Sequence, residues 1–268
     1  MLLTCTRVKP LSEARVMSEI RMESEVLIRS ELMDEIPGLV FGMSTRLGGV
    51  SAPPFGMNVS YRVCDNEDHV LQNRERFLGR LGIRAERVAV PVQIHSNSIR
   101  VVSSPGTYHD SDGLVSAWPD LYVGVTVADC VPVILVDPVN RVVAAVHAGW
   151  RGTAAQIVRV AVDVMSRECG TEPGDIVAYL GPAAGVCCYE VGEEVASRFP
   201  GETVVRRGAA IYLDVRKANR LQLLESGVLA ARIEESTLCT ISEETLLHSY
   251  RRDGSRSGRM MAVVGFRG

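Results

Sequence analysis

The chain predicts an α+β fold built around a mixed sheet. Three observations carry that reading. Val- and Ile-rich stretches outnumber helical ones, many are joined by short turns, and the helices are inserted singly, so strict βαβ alternation is missing. Strands are expected at 26–30, 39–45, 87–95, 98–103, 122–129, 132–136, 142–147, 176–180, 237–240 and 260–266. Val70, Arg74, Phe77, Leu78 and Leu81 stand at helical spacing, with Gly82 as the stop. Ala154, Ile157, Val158, Ala161, Val162 and Met165 form the strongest apolar stripe, opposite Gln156, Arg159, Asp163 and Arg167 and closed by Gly170. A short helix is expected from Gly192 to Phe199, ahead of Pro200. A fourth runs from Asp214, its N-cap, to Ser226, with Gly227 as its stop.

Composition narrows the function. The 268 residues are 46% hydrophobic and 23% charged, enough apolar material for a sizeable core. No repeat, low-complexity tract or Ser/Gly linker interrupts the chain. It therefore reads as one domain over 25–268 behind an N-terminal extension, 1–24. Lys+Arg of 29 against Asp+Glu of 32 leaves a net charge of -3, which disfavours a nucleic-acid partner. No apolar run is long enough for a bilayer, so no membrane partner is expected. The alternating charges of Glu13, Arg15, Glu19 and Arg21 do not resemble a secretory signal. Seven cysteines, an odd number, fit free thiols in a reducing, cytoplasmic setting better than a disulfide framework. The oligomeric state stays open, a monomer included.

The most informative stretch is VTVADCVPVILVDPVNRVVAAVHAGWRG, from Val125 to Gly152. Two apolar strands flank the turn-rich segment Asp137 to Arg141. Folded about that segment, Cys130 and His147 come out opposite each other, on one face, with Cβ atoms about 4.5–5.5 Å apart. That suits two ligands of one metal. His95, at the end of the strand 87–95, completes a His₂Cys set. Three such ligands suit Zn²⁺ with one position left for water, the pattern of catalytic zinc. Beyond His147, Gly149 and Gly152 bracket Trp150 and Arg151 at a strand-to-helix junction. A helix N-terminus with an adjacent Arg suits an anion such as phosphate. Cys187-Cys188 reads as a buried turn rather than a redox pair. The run from His248 to Arg259 reads equally well as a solvated loop or as a wall of a substrate pocket.

Several motifs carry a resemblance. They are Ser44-Thr45-Arg46-Leu47-Gly48-Gly49-Val50-Ser51, Gln93-Ile94-His95, Ala128-Asp129-Cys130-Val131-Pro132 and His147-Ala148-Gly149-Trp150-Arg151-Gly152. Leu180-Gly181-Pro182, Cys188-Tyr189-Glu190-Val191-Gly192 and His248-Ser249-Tyr250-Arg251-Arg252-Asp253-Gly254 add to them. On these, residues 26–268 resemble the YfiH-like family, known both as multicopper polyphenol oxidase (laccase domain) and as purine nucleoside phosphorylase. The resemblance implies zinc held by His95, Cys130 and His147. It implies a mixed β-sandwich flanked by helices, in α/β/β/α layers, similar to a bacterial toxin deamidase. It also implies phosphorolysis of adenosine, inosine and methylthioadenosine, and deamination of adenosine. The chain departs from the family in three places: Ser96-Asn97 follows the Gln-Ile-His tripeptide where Gly is usual, Ser60 stands where Gly is usual after Asn58-Val59, and Ser111 and Gly113 flank Asp112 where the family has its Asp between alanines.

Four function classes follow. In the first, a zinc nucleoside enzyme, Arg46 and Arg151 hold phosphate, Asn58 contacts substrate, and Asp129 is weighed as a proton carrier beside Cys130 and His147. Strand alternation aims Asp129 away from the face of Cys130, which favours a structural role for it. The second is a copper-dependent phenol oxidase, with Cu²⁺ as the alternative ion; five histidines are too few for a multicopper cluster. The third is a cysteine hydrolase with Cys130 as nucleophile and His147 as base. The fourth, a structural zinc module, lacks a fourth ligand.

Overall fold

The computed structural model describes residues 27–268. The expected extension, 1–24, lies outside them. The strands are β1 (Leu27–Ile28), β2 (Leu39–Ser44), β3 (Val88–Pro91), β4 (Ile99–Val101), β5 (Gly106–Tyr108), β6 (Gly113–Ser116), β7 (Tyr122–Val127), β8 (Val131–Asp137), β9 (Val142–Ala148), β10 (Val177–Leu180), β11 (Val204–Arg207), β12 (Ala210–Leu213), β13 (Ile233–Glu235) and β14 (Met260–Phe266). The helices are α1 (Glu31–Asp34), α2 (Glu67–Arg80), α3 (Trp150–Ala154), α4 (Ile157–Cys169), α5 (Glu193–Ala196), α6 (Val215–Glu225) and α7 (Tyr250–Asp253).

Two mixed six-stranded sheets stack face to face, in the orders β1-β2-β14-β7-β3-β5 and β13-β10-β8-β9-β6-β4. One apolar core lies between them, with Phe41, Val125, Ile134, Ala145 and Val264. A second joins the outer face of the β8–β9 sheet to α4 and α6, through Val133, Ala144, Ile157, Ala161, Met165 and Leu223. A third sets Phe77 and Leu78 of α2 against Val40, Met261 and Val263 of the other sheet. The layers are therefore α/β/β/α, and the fold is α+β. Being covered on both faces, β8, β9 and β14 are buried along their whole length, and so they are apolar but for Asp137 and His147.

The helix ends follow local chemistry. Asn66 caps α2 by accepting from the His69 N–H, and Asp214 caps α6 by accepting from the Lys217 N–H. The apolar stripe expected as one helix from Ala154 is interrupted at Gln156, which takes a left-handed φ of 62°. In an unbroken helix the Thr153 carbonyl would accept from residue 157. Here it accepts from the Gln156 N–H and from Nε2 of Gln222, so the helical ladder breaks between α3 and α4. The strand expected at 237–240 is also corrected. Pairing with β10 falls on Ile233–Glu235 instead. Beyond it, the carbonyls of Ser236 and Leu238 accept from the Arg216 guanidinium, and Cys239 keeps a single bridge to Ala183. Besides β13, four strands, β5, β6, β11 and β12, fall outside the expected set; each is only three or four residues long.

Candidate metal and substrate site

The β8–β9 hairpin forms with a register two residues from the expected one. His147 pairs with Pro132, not with Cys130. The turn explains the difference. Asp137 Oδ1 accepts from the N–H groups of Val139 and Asn140, and Arg141 takes φ 55°, which centres the loop one residue later than expected. A shift of two keeps the side-chain face, because strand alternation has period two. Cys130 lies just ahead of β8, one residue before the paired stretch, beside His147 at the end of β9.

His95 joins them from the loop after β3, in a left-handed conformation with φ 60°. One ligand atom from each of His95, Cys130 and His147 lies within 4.8 Å of the others. The His95 and His147 rings meet edge to face, with centroids 4.8 Å apart.

A buried carboxylate organises this set. Asp112 Oδ1 stands 2.9 Å from Nδ1 of His147 and accepts from the His95 N–H at 2.9 Å. Its Oδ2 accepts from the Ile94 and Ser96 N–H groups and from the Ser96 hydroxyl, at 3.2, 2.7 and 2.8 Å. One side chain thereby fixes the His147 ring and the backbone of the His95 loop. The Nδ1–carboxylate bond leaves Nε2 of His147 for a metal, the usual outer support of a metal-ligating histidine. Gln93 adds a second lock: its amide exchanges hydrogen bonds with the backbone of Thr126. The sequence marks Asp112 only as standing where the family has an Asp, and gives it no role at the site. The available signal was an acidic residue standing between Ser111 and Gly113, just before an apolar pair, Leu114-Val115.

The electrostatics suit a soft cation. Burial opposes a Cys130 thiolate, but His147 and His95 outweigh it and bring the thiol down to about 6. Burial likewise opposes a charged His147, yet Cys130 and Asp112 push it up to about 9. Gly149 leaves the space the ligands use. A Cβ there would stand 2.8 Å from Cys130 Sγ and 3.2 Å from His95 Nδ1. Two imidazoles and a thiolate, externally braced, with room between them, fit a zinc ion held by three protein ligands.

The set lies on the wall of a cleft of ≈ 770 Å³. Asp129 lines this cleft too, although alternation had aimed it away. Residues 128–130 belong to neither strand, and Asp129 turns with φ 84°. Its Oδ1 accepts from Thr240 Oγ1 and its Oδ2 from the Arg251 N–H, both at 2.6 Å. Arg151 borders the cleft, its guanidinium 4.4 Å from the Trp150 ring centroid. Arg46 and Asn58 are not brought to it. Arg46 donates to the carbonyls of Glu244 and Pro54 and ties two loops. Asn58 is fully buried, bonded to Ser60, Asp65 and the Arg259 N–H. Three further arginines reach the cleft: Arg62, Arg251 and Arg259. Arg251 lies over Tyr189 and Arg259 over Tyr250, at 4.9 and 5.4 Å. Of the run from His248 to Arg259, Tyr250, Arg251 and Arg259 form pocket wall. His248 itself is fully buried, and burial drives its imidazole down to about 3, so it is neutral.

A two-sheet sandwich with a His₂Cys set at the end of its central hairpin defines a class of protein. The chain belongs to the multi-copper polyphenol oxidoreductase laccase family, whose model matches residues 40–267. A purine nucleoside phosphorylase of Deinococcus radiodurans is 39% identical over 229 residues, covering 83% of this chain and 87% of that protein. A protein from an unknown prokaryote named adenosine deaminase RL5 is 36% identical over 227 residues, covering 78% and 86%. The crystal structure of YlmD from Geobacillus stearothermophilus superposes with a TM-score of 0.87 at 33% identity, covering 93% of this chain and 99% of that one. Among the described residues no helix is long and apolar enough to cross a membrane.

Proposed function

We propose that this chain is a zinc-dependent purine nucleoside phosphorylase acting on adenosine, inosine and methylthioadenosine. The observation that carries the reading is the convergence of His95, Cys130 and His147 in a cleft that four arginines also line. The names of the relatives support it. A zinc ion held there would supply Lewis-acid and charge stabilisation. In the reaction, a phosphate oxygen forms a bond to ribose C1′ as the C1′–N9 bond breaks. The purine leaves with the bonding electron pair and is protonated. Arg151, Arg251 and Arg259, which line the cleft, are the groups that would hold the phosphate dianion, Arg151 being the one already legible in the motif. Tyr189, Tyr250 and Trp150 offer faces on which a purine stacks. Asp129, with both oxygens engaged, positions Arg251 and the Thr240 loop. The free thiols fit a reducing, cytoplasmic setting.

Deamination of adenosine at the same site is the second reading, supported by the relative named for that activity. The test is one incubation of zinc-quantified protein with adenosine, with and without phosphate, and separation of the products. Adenine and ribose-1-phosphate formed only with phosphate, and lost in Cys130→Ala together with the zinc, support phosphorolysis. Inosine formed without phosphate supports deamination. No turnover of any of the three nucleosides by protein carrying one zinc per chain refutes both.

A further inference from the structure

A second group of metal-ligating side chains comes together away from the cleft's His₂Cys set. The sulfurs of Cys187, Cys188 and Cys239 lie within 4.8 Å of one another. Two distant segments meet to form the group. The turn after β10 brings Cys187 and Cys188, and the bridge from Ala183 to Cys239, reinforced by the Thr240 N–H donating to Ala183 O, brings the third.

The space between the sulfurs is kept open. A Cβ at Gly185 would stand 3.1 Å from Cys239 Cβ and 3.3 Å from the sulfurs of both Cys187 and Cys239. The Gly185 N–H donates to Cys239 Sγ at 3.2 Å. Burial opposes a Cys239 thiolate, but this bond and those from the Ser242 N–H and hydroxyl outweigh it and lower its pKa. Burial and the two neighbouring sulfurs push Cys187 up to about 12. Cys239 is buried while Cys187 is exposed, so the turn expected to be buried lies open and the group has a protected base and an open mouth.

We propose that Cys187, Cys188 and Cys239 form a second metal site, selective for copper(I). Thiolate sulfur is soft and selects copper(I) or zinc. A structural zinc site closes with four protein ligands, and the three-ligand set in the cleft carries two imidazoles, whereas copper(I) is satisfied by three sulfurs alone. Among the described residues this group supplies three, all sulfur. Sulfurs sharing one ion at about 2.3 Å stand about 3.8–4.0 Å apart. The Cys187–Cys188 pair, now 3.3 Å apart, has only to open slightly, and Cys187 sits in an exposed turn. Each thiol still protonated gives its proton to solvent as its sulfur–copper bond forms, and the ion's oxidation state does not change. The site also borders the cleft. Tyr189 follows Cys188, and Thr240, which follows Cys239, bonds Asp129. Copper(I) would tie these two walls together.

The test is an anaerobic titration of the zinc-loaded full chain with copper(I) buffered by a chromophoric chelator. The expected result is one copper per chain in addition to zinc, with sulfur-to-copper absorption in the ultraviolet and three thiols lost to a thiol-reactive dye. Cys187→Ser, a surface change, is expected to weaken uptake by at least about 10-fold, the cost of losing even an outer-shell partner of a metal. Cys239→Ser is expected to do the same. Equal uptake by the wild type and Cys187→Ser, or release of one zinc for each copper bound, overturns the proposal. The readout is independent of nucleoside turnover, so it stands or falls apart from the proposed activity.

Discussion

Gly149→Ala isolates the packing of the metal ligands from their identity. The glycine has φ -74° and ψ 169°, which alanine adopts without strain. The added methyl nevertheless stands 2.8 Å from Cys130 Sγ and 3.2 Å from His95 Nδ1. Non-bonded heavy atoms settle at about 3.5–4.0 Å, so the thiolate must retreat by roughly 0.7 Å or more. Metal sites tolerate ligand displacements of only about 0.2 Å. Gly149→Ala should therefore weaken zinc binding by about 10–100-fold, or ~1.4–2.8 kcal/mol, while all three ligands remain. Competition with a chromophoric zinc chelator reads this directly, and circular dichroism checks the fold. Gly174→Ala is the control, because nothing lies within 4 Å of a Cβ there. Wild-type zinc affinity in Gly149→Ala would refute the assignment of the three ligands to one ion.

Two further predictions concern the site and one the helix α2. Asp112→Asn turns one acceptor toward N–H donors and should weaken zinc binding about 10–100-fold, measured in the same competition assay, with the His147 ring losing its fixed orientation. In metal-free protein, alkylation of Cys130 by iodoacetamide should rise with pH through about 6, since the thiolate is the nucleophile. Replacing His147 by Asn should move that midpoint upward, and an unchanged midpoint would count against the pairing. Gly79→Ala, on the exposed face of α2 with open space around it, should stabilise the fold by about 0.5–1 kcal/mol in denaturant unfolding.

The pH dependence of stability has a definite sign at Asp112. Burial opposes its ionisation, but the His147 bond and the Ser96 donors outweigh it and hold the carboxyl at about 2. That is below the ordinary value of about 3.9, so its stabilising contribution is complete above about pH 4 and is withdrawn as pH falls toward 2.

Residue type and short-range pattern were enough for much of this protein. The buried runs of β8 and β9, the stripe of α4, the cap at Asp214, and the grouping of His95, Cys130 and His147 were all legible in the sequence. Each rests on side-chain periodicity or on donor chemistry, which are local properties. The tertiary structure decided the rest. The hairpin register moved by two because the Asp137 turn, not the apolar pattern, sets it. The expected helix broke at Gln156 because Gln222, 66 residues further along the chain, takes a helical carbonyl. Asn58 and Arg46, both parts of recognisable motifs, went to buried and loop-tying bonds. Asp112, Arg62, Arg251 and Arg259 reached the site instead, and Cys239 met Cys187 and Cys188. Pairings between residues tens to more than a hundred positions apart depend on how two sheets stack, and no local period encodes that.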